Sequence, residues 1–172
     1  MARELVVTVT PVYVVDTSYL CELFAVPHYS TAEATSEVRK RFAVAVEAGT
    51  RLYVSLPAIF ELAGHIADVP DGRSRRKLSM KLRDTVVSSI REGQPWNLLP
   101  VLDRSAVERL INGFVDHARE QGMSLVDTTL IDEAKRLRET TYRGQAWRVH
   151  IWTKDQRLKA REPDNEPNAF LG

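Results

Sequence analysis

Val12-Tyr13-Val14-Val15-Asp16-Thr17-Ser18 joins a β-branched and aromatic run directly to an acid and two hydroxyls. Such a run reads as a short buried strand ending at Asp16. Residues 17–26 then take helical spacing and stop near Pro27. Further out, residues 31–48 read as a helix closed by Gly49, a residue that commonly ends helices. Residues 51–55 form a short strand, and Pro57 suits the first turn of a helix running to about Asp68.

The second half of the chain continues the alternation. In residues 73–92, Leu78, Leu82, Val86 and Ile90 lie four apart and predict one apolar stripe on a long helix. Gly93 and Pro95 break it. Residues 98–102 are a candidate strand. Residues 105–121 are a helix with Ser105 as cap and Gly122 as terminator. Residues 127–139 are a helix, 148–153 a strand, and a short last helix starts near Lys154. Strand and helix in alternation predict an α/β domain, with a mainly parallel sheet covered by helices on both faces. In such sheets ligands bind beyond the carboxyl ends of the strands, where Asp16 and Asp155 both fall.

The chain has 172 residues, 44% hydrophobic and 27% charged, which predicts one soluble globular domain. Only the tail from about residue 162, with Pro163, Asp164, Asn165 and Pro167, reads as loosely ordered. Cys21 is the single cysteine. It excludes an internal disulfide and a thiolate zinc cluster, and its apolar neighbours predict a buried thiol. Residues 1–10 carry Arg3 and Glu4 and read as no signal peptide. No segment approaches the roughly 20 apolar residues of a membrane helix, so a reducing cytoplasm is the expected compartment.

A net charge of +1 implies no strong global attraction to nucleic acid. Residues 72–83, which include Arg73, Arg75, Arg76, Lys77, Lys81 and Arg83, are nevertheless basic. They serve either as the solvated face of an amphipathic helix or as a ridge for phosphates. Trp96, Trp147 and Trp152 read as core.

Four acids stand out. Asp16 follows the first strand, and Glu61 is the sole acid of Leu56-Pro-Ala-Ile-Phe-Glu-Leu-Ala-Gly-His-Ile-Ala. Asp127 opens Asp-Thr-Thr-Leu-Ile-Asp-Glu-Ala, and Asp155 follows the last strand. Each has an ordinary alternative as a helix cap or a solvated face. His65 lies one turn after Glu61, without an HExxH motif, and reads as structural. Asp132 and Glu133 lie too far round their helix to share Asp127's face, and read as solvated or paired with Lys135, Arg136 or a neighbour. A cluster of four carboxylates predicts a cation, because without one they repel and one would hold a proton near neutral pH. Mg²⁺ suits such oxygen donors and leaves positions open for phosphate.

With these residues in view the chain resembles the PIN-domain family, and within it the VapC-type toxin ribonucleases. Val-Val-Asp16-Thr-Ser resembles the family's opening strand and first acid, and Leu-Pro-Ala-Ile-Phe-Glu61-Leu its helix with the glutamate. Ser-Leu-Val-Asp127-Thr-Thr-Leu-Ile-Asp-Glu-Ala resembles the third acidic motif, and Thr153-Lys-Asp155-Gln-Arg-Leu the late Thr-x-Asp motif. The matches run in the family's order over residues 12–158.

The resemblance implies a three-layer α/β/α fold, Mg²⁺ or Mn²⁺, and cleavage of single-stranded RNA. It also implies a homodimer and an antitoxin partner, with no membrane. Asp16, Glu61, Asp127 and Asp155 would be the catalytic and metal-binding set. Thr17, Ser18 and Thr153 would hydrogen-bond those ligands, and Arg75, Arg76, Lys154 and Arg157 would contact RNA phosphates. Two features depart from the family pattern: Arg157 stands where an acid is frequent, and residues 139–147 look like an insertion.

A haloacid-dehalogenase-type phosphatase would want a second acid where Ser18 stands. A receiver domain would want paired acids and a matching lysine that the chain does not offer. The remaining alternative is a non-catalytic PIN-like module that binds RNA or protein.

Overall fold

Four strands, β1 (Thr10–Val15), β2 (Arg51–Val54), β3 (Asn97–Leu98) and β4 (Trp147–Trp152), form one parallel sheet in the order β3-β2-β1-β4. The computed structural model describes residues 8–172, the side chain of Gln121 excepted. The reading of residues 1–10 as no signal peptide falls mostly outside them. The described helices are α1 (Thr17–Phe24), α2 (Ala32–Glu47), α3 (Leu56–Ala67), α4 (Gly72–Glu92), α5 (Arg104–Gln121), α6 (Leu125–Glu139) and α7 (Gln156–Lys159). None of them is long and apolar enough to cross a membrane.

The unbroken apolar run of β1 is explained by cover on both of its faces. Val12 and Val14 join Val149 and Ile151 of β4 in a core against Leu130, Ala134 and Leu137 of α6. Val15 points the other way, as period-2 alternation requires. With Leu52, Val54 and Trp152 it builds a second core against α1, α2 and α3. Trp152 stacks on Tyr13 and Tyr19 there, and Phe42 meets its ring edge-on. The result is the expected three-layer α/β/α arrangement.

The parallel order sets the site. β1 pairs with β2 on one side and with β4 on the other, with Val15 opposite Trp152. The chain builds outward through β2 and β3, then returns to lay β4 on the opposite edge of β1. The β1–β4 junction is therefore the switch point where α/β sheets leave a crevice at the strands' carboxyl ends.

Local expectations needed four corrections. β3 is shorter than residues 98–102, because Pro100 has no N–H to extend a ladder. Asp103, rather than Ser105, caps α5, accepting from Ala106 N, while Ser105 Oγ donates to the same carboxylate. α6 begins at Leu125 with Ser124 as its cap, so Asp127 sits inside the first turn rather than opening the helix. Ile90 is 64% exposed although it continues the stripe of Leu78, Leu82 and Val86. Steps of four advance the stripe by about 40° each on a 3.6-residue helix, so it drifts outward. Ser89 takes the buried place instead.

The segment from Glu162 onward, which composition marks as loosely ordered, lies along the open edge of β4. Asp164 accepts from Val149 N at 2.8 Å and Glu162 from Ile151 N at 3.0 Å. Glu166 accepts from Trp152 Nε1 at 3.1 Å, and the Phe170 carbonyl from the Tyr19 hydroxyl at 2.8 Å. Side-chain carboxylates thus occupy backbone donors that an edge strand would otherwise expose.

Candidate functional site

Asp16 ends β1 and caps α1, with extended backbone (φ −80°, ψ 156°) and a side chain only 6% exposed. Its Oδ2 accepts from Ser18 Oγ at 2.6 Å, Thr153 Oγ1 at 2.8 Å and Ser18 N at 3.3 Å. Both hydroxyls spend their one proton on Asp16 and accept from the turn that follows β4. Ser18 Oγ takes Lys154 N and Thr153 Oγ1 takes Asp155 N, each at 3.0 Å. Oδ1 accepts no hydrogen bond among the described residues, and no cationic side chain there pairs with Asp16.

Burial pushes the Asp16 carboxyl above the usual carboxylate range. The three hydrogen bonds oppose that shift, and the negative charge of Asp127 reinforces it. Beside it, Thr17 Oγ1 is buried without a hydrogen-bond partner among the described residues.

Asp127 reaches this neighbourhood from the first turn of α6. A capping box holds it, with Ser124 N donating to Asp127 Oδ2 at 2.7 Å and Asp127 N donating to Ser124 Oγ at 3.1 Å. Glu61 comes from α3 and is half-buried. Burial raises the Cys21 thiol to about 12, and the charges of Asp16 and Glu61 both act in the same direction. Cys21 is thus a buried, unreactive thiol within the field of two of the predicted acids.

Asp155 caps α7 and is turned to a different partner. Its Oδ1 accepts from Arg157 N at 2.8 Å and Nε at 3.3 Å, and its Oδ2 from Arg157 Nη2 at 2.9 Å. The guanidinium holds the Asp155 carboxyl below its ordinary value. Among the described residues, no three His, Cys, Asp or Glu side chains converge closely enough to hold a metal ion as they stand.

The basic residues expected to meet phosphate have their own partners. Lys154 Nζ forms an ion pair with Glu22, a fully buried acid of α1. Arg157 holds Asp155. Arg75 Nη1 donates to the Val69 carbonyl at 2.8 Å, whereas Arg76 is exposed on α4. Asp132 pairs with Arg109, and Glu133 with Arg136. His65 stacks on Tyr29, with ring centroids 3.9 Å apart.

Glu22 is the residue that sequence reasoning overlooked. Its signal was available, because an acid within Leu20-Cys21-Glu22-Leu23-Phe24 has to be paired if that helix is buried. Its other oxygen accepts from Thr31 N at 3.2 Å and Thr35 Oγ1 at 2.9 Å. The pair with Lys154 thereby ties α1 and the start of α2 to the turn between Thr153 and Asp155.

Chemically, the site is a set of hard oxygen donors with excess negative charge. Among the described residues Asp16 has an open oxygen and no counter-ion, Asp127 adds to its charge, and Thr17 carries a hydroxyl without a partner. These residues and Glu61 offer the oxygen chemistry that a hard cation prefers, but among the described residues they do not converge on one point. Asp155 would first have to leave Arg157. No family model matches the chain, and no curated protein is significantly similar to it.

Proposed function

We propose that the chain is a Mg²⁺- or Mn²⁺-dependent endoribonuclease of the PIN-like, toxin type. The observation that carries this reading is Asp16. It is a buried carboxylate at the switch point of a parallel sheet, held by two hydroxyls, with an open oxygen and no cationic partner among the described residues. A buried charge left in that state is costly, and a bound divalent cation removes the cost.

In this reading Asp16 would hold the cation, while Ser18 and Thr153 fix the carboxylate by donating to Oδ2. Asp127 and Glu61 supply further oxygens, and one of them orients or deprotonates the attacking water. A divalent cation at this place would lower the pKa of water and offset charge on the scissile phosphate. Arg76 and the neighbouring basic face of α4 bind the RNA backbone. A cytoplasmic location, a homodimer and an antitoxin partner belong to the same reading and rest on the motif resemblance alone.

The test is cleavage of a mixed-sequence single-stranded RNA in Mn²⁺ or EDTA by wild type and Asp16→Asn. Metal-dependent cutting lost in the variant is the expected result. Equal cutting by a folded Asp16→Asn protein would end the proposal.

The alternative, a non-catalytic PIN-like binding module, is favoured by one observation: the acids do not converge on a single point. Such a module gains no thermal stability from millimolar Mn²⁺, whereas a cation-binding enzyme does.

A further inference from the structure

We infer that Arg39 of α2 joins Lys77 and Lys81 of α4 in an anchoring site for the phosphates of single-stranded RNA. The site depends on RNA being the ligand, as read above, and on none of the cleavage chemistry. On α4, Arg73, Arg76, Lys77 and Lys81 keep the spacing of a single helix face. All four are exposed and line one open groove along the helix.

Arg39 comes alongside from α2. Its Nε donates to the Leu23 carbonyl at 3.2 Å, and Lys81 Nζ lies 4.8 Å from the centroid of the Phe24 ring. Both cations therefore crowd the C-terminal end of α1, where helix carbonyls favour positive charge. That end offers the equivalent of about half a negative charge, whereas Arg39 and Lys81 bring two positive ones and Lys77 adds to them. The excess is felt. Partial desolvation holds the Lys81 ammonium below its ordinary range, and the charges of Arg39 and Lys77 act in the same direction. Among the described residues no carboxylate pairs with any of the three, and Asp84, farther along the groove, is held by Arg83. A bound anion would relieve this repulsion.

The form of the patch selects the anion. From Arg73 to Lys81 the cations repeat along about 12 Å of helix, at 1.5 Å per residue. A protein partner would need buried aromatic or aliphatic anchors, and charge is depleted at the centre of such interfaces. Among the described residues that line the groove, Met80 is the one apolar side chain. A phosphate chain needs only a row of cations to track its backbone. α1 has eight residues, about 12 Å of helix, and separates this patch from Asp16 at its N-cap. The patch thus holds the strand at a distance from Asp16 and reads no base sequence.

The experiment is fluorescence anisotropy of a labelled, mixed-sequence single-stranded RNA in EDTA at increasing salt, so that binding is measured apart from cleavage. The proteins are wild type, the triple variant R39Q/K77Q/K81Q, and R119Q, which removes an exposed arginine of α5 as a control. Melting curves verify that each is folded, and the three single variants serve should the triple variant fail to fold. The slope of log affinity against log salt should become shallower by about 0.7 per cation removed, and so by about 2 in the triple variant. R119Q should match wild type. An unchanged slope in the triple variant would overturn the inference and leave RNA binding itself standing. A comparable loss per charge in R119Q would also overturn it, since net charge would then explain the effect. Poly-glutamate bound more tightly than the RNA at equal charge would assign the patch to an acidic protein instead. No RNA binding by wild type would overturn the RNA reading and this inference together.

Discussion

Thr153 Oγ1 donates to Asp16 Oδ2 at 2.8 Å, linking residues 137 positions apart at the ends of adjacent parallel strands. The same hydroxyl accepts from Asp155 N, so one side chain holds both the first and the last of the acids. Replacing it with valine keeps the shape and removes both bonds. Thr153→Val should lose about 1–3 kcal/mol, the usual cost of leaving buried polar groups unpaired. Urea unfolding in EDTA measures this, and an unchanged midpoint would mean the link carries no net weight.

Asp16 makes stability depend on pH in a defined direction. Its folded-state carboxyl is held above the unfolded value, chiefly by burial, so the folded protein favours the protonated form. That contribution is fully present below the ordinary carboxylate range of about 4, and it is lost as pH rises through the raised folded value. Metal-free wild type should therefore lose stability relative to Asp16→Asn as pH rises from about 4 toward neutrality. Melting curves in EDTA across that range test this, and parallel pH profiles for the two proteins would contradict it. Asparagine is itself a good helix cap, so the comparison isolates the charge.

Glu22 is fully buried, and Lys154 Nζ is its cationic partner. Lys154→Met strands the carboxylate in the core and should cost about 3–5 kcal/mol. Glu22→Gln/Lys154→Met should recover a substantial part of that loss, because neither charge is then left buried. Thermal unfolding of the single and double variants decides the point. A double variant as unstable as Lys154→Met would show that the loss comes from packing rather than from the unpaired charge.

Deleting residues 162–172 removes the carboxylates that cap the β4 backbone at Val149 and Ile151, and the partner of Trp152 Nε1. An edge strand with open donors is a template for pairing with another chain. The shortened protein should melt at lower temperature and self-associate more than the full chain at equal concentration. Sedimentation velocity checks the second effect, and identical profiles would show that β4 is protected by other means.

Much of the fold was legible because its signals are local. The apolar run at Val12–Val15 demanded cover on both faces, and Gly49, Gly93 and Gly122 marked helix ends through backbone conformations of positive φ. Where local reading failed, the local pattern admitted more than one solution. Ser124 rather than Asp127 caps α6, because two residues in the same turn were both able to do so. Ile90 faces outward because steps of four drift by about 40° each round a 3.6-residue helix, which brings Ser89 to the buried place instead.

By itself, the sequence determined the alternation of strands and helices and the placing of Asp16 and Asp155 at strand ends, since both follow from periodicity along the chain. Only the tertiary structure decided what those acids touch. Laying β4 beside β1 brought Thr153 to Asp16 and Lys154 to Glu22, contacts that span more than a hundred residues and depend on strand order, which no local pattern encodes. The Asp155–Arg157 fork lies two residues apart and was equally hidden, because sequence spacing permits the pair without requiring the side-chain rotamers that form it. The tail's role along β4 was hidden for the same reason: its polar, proline-containing composition reads as loose until an open strand edge offers donors for its carboxylates.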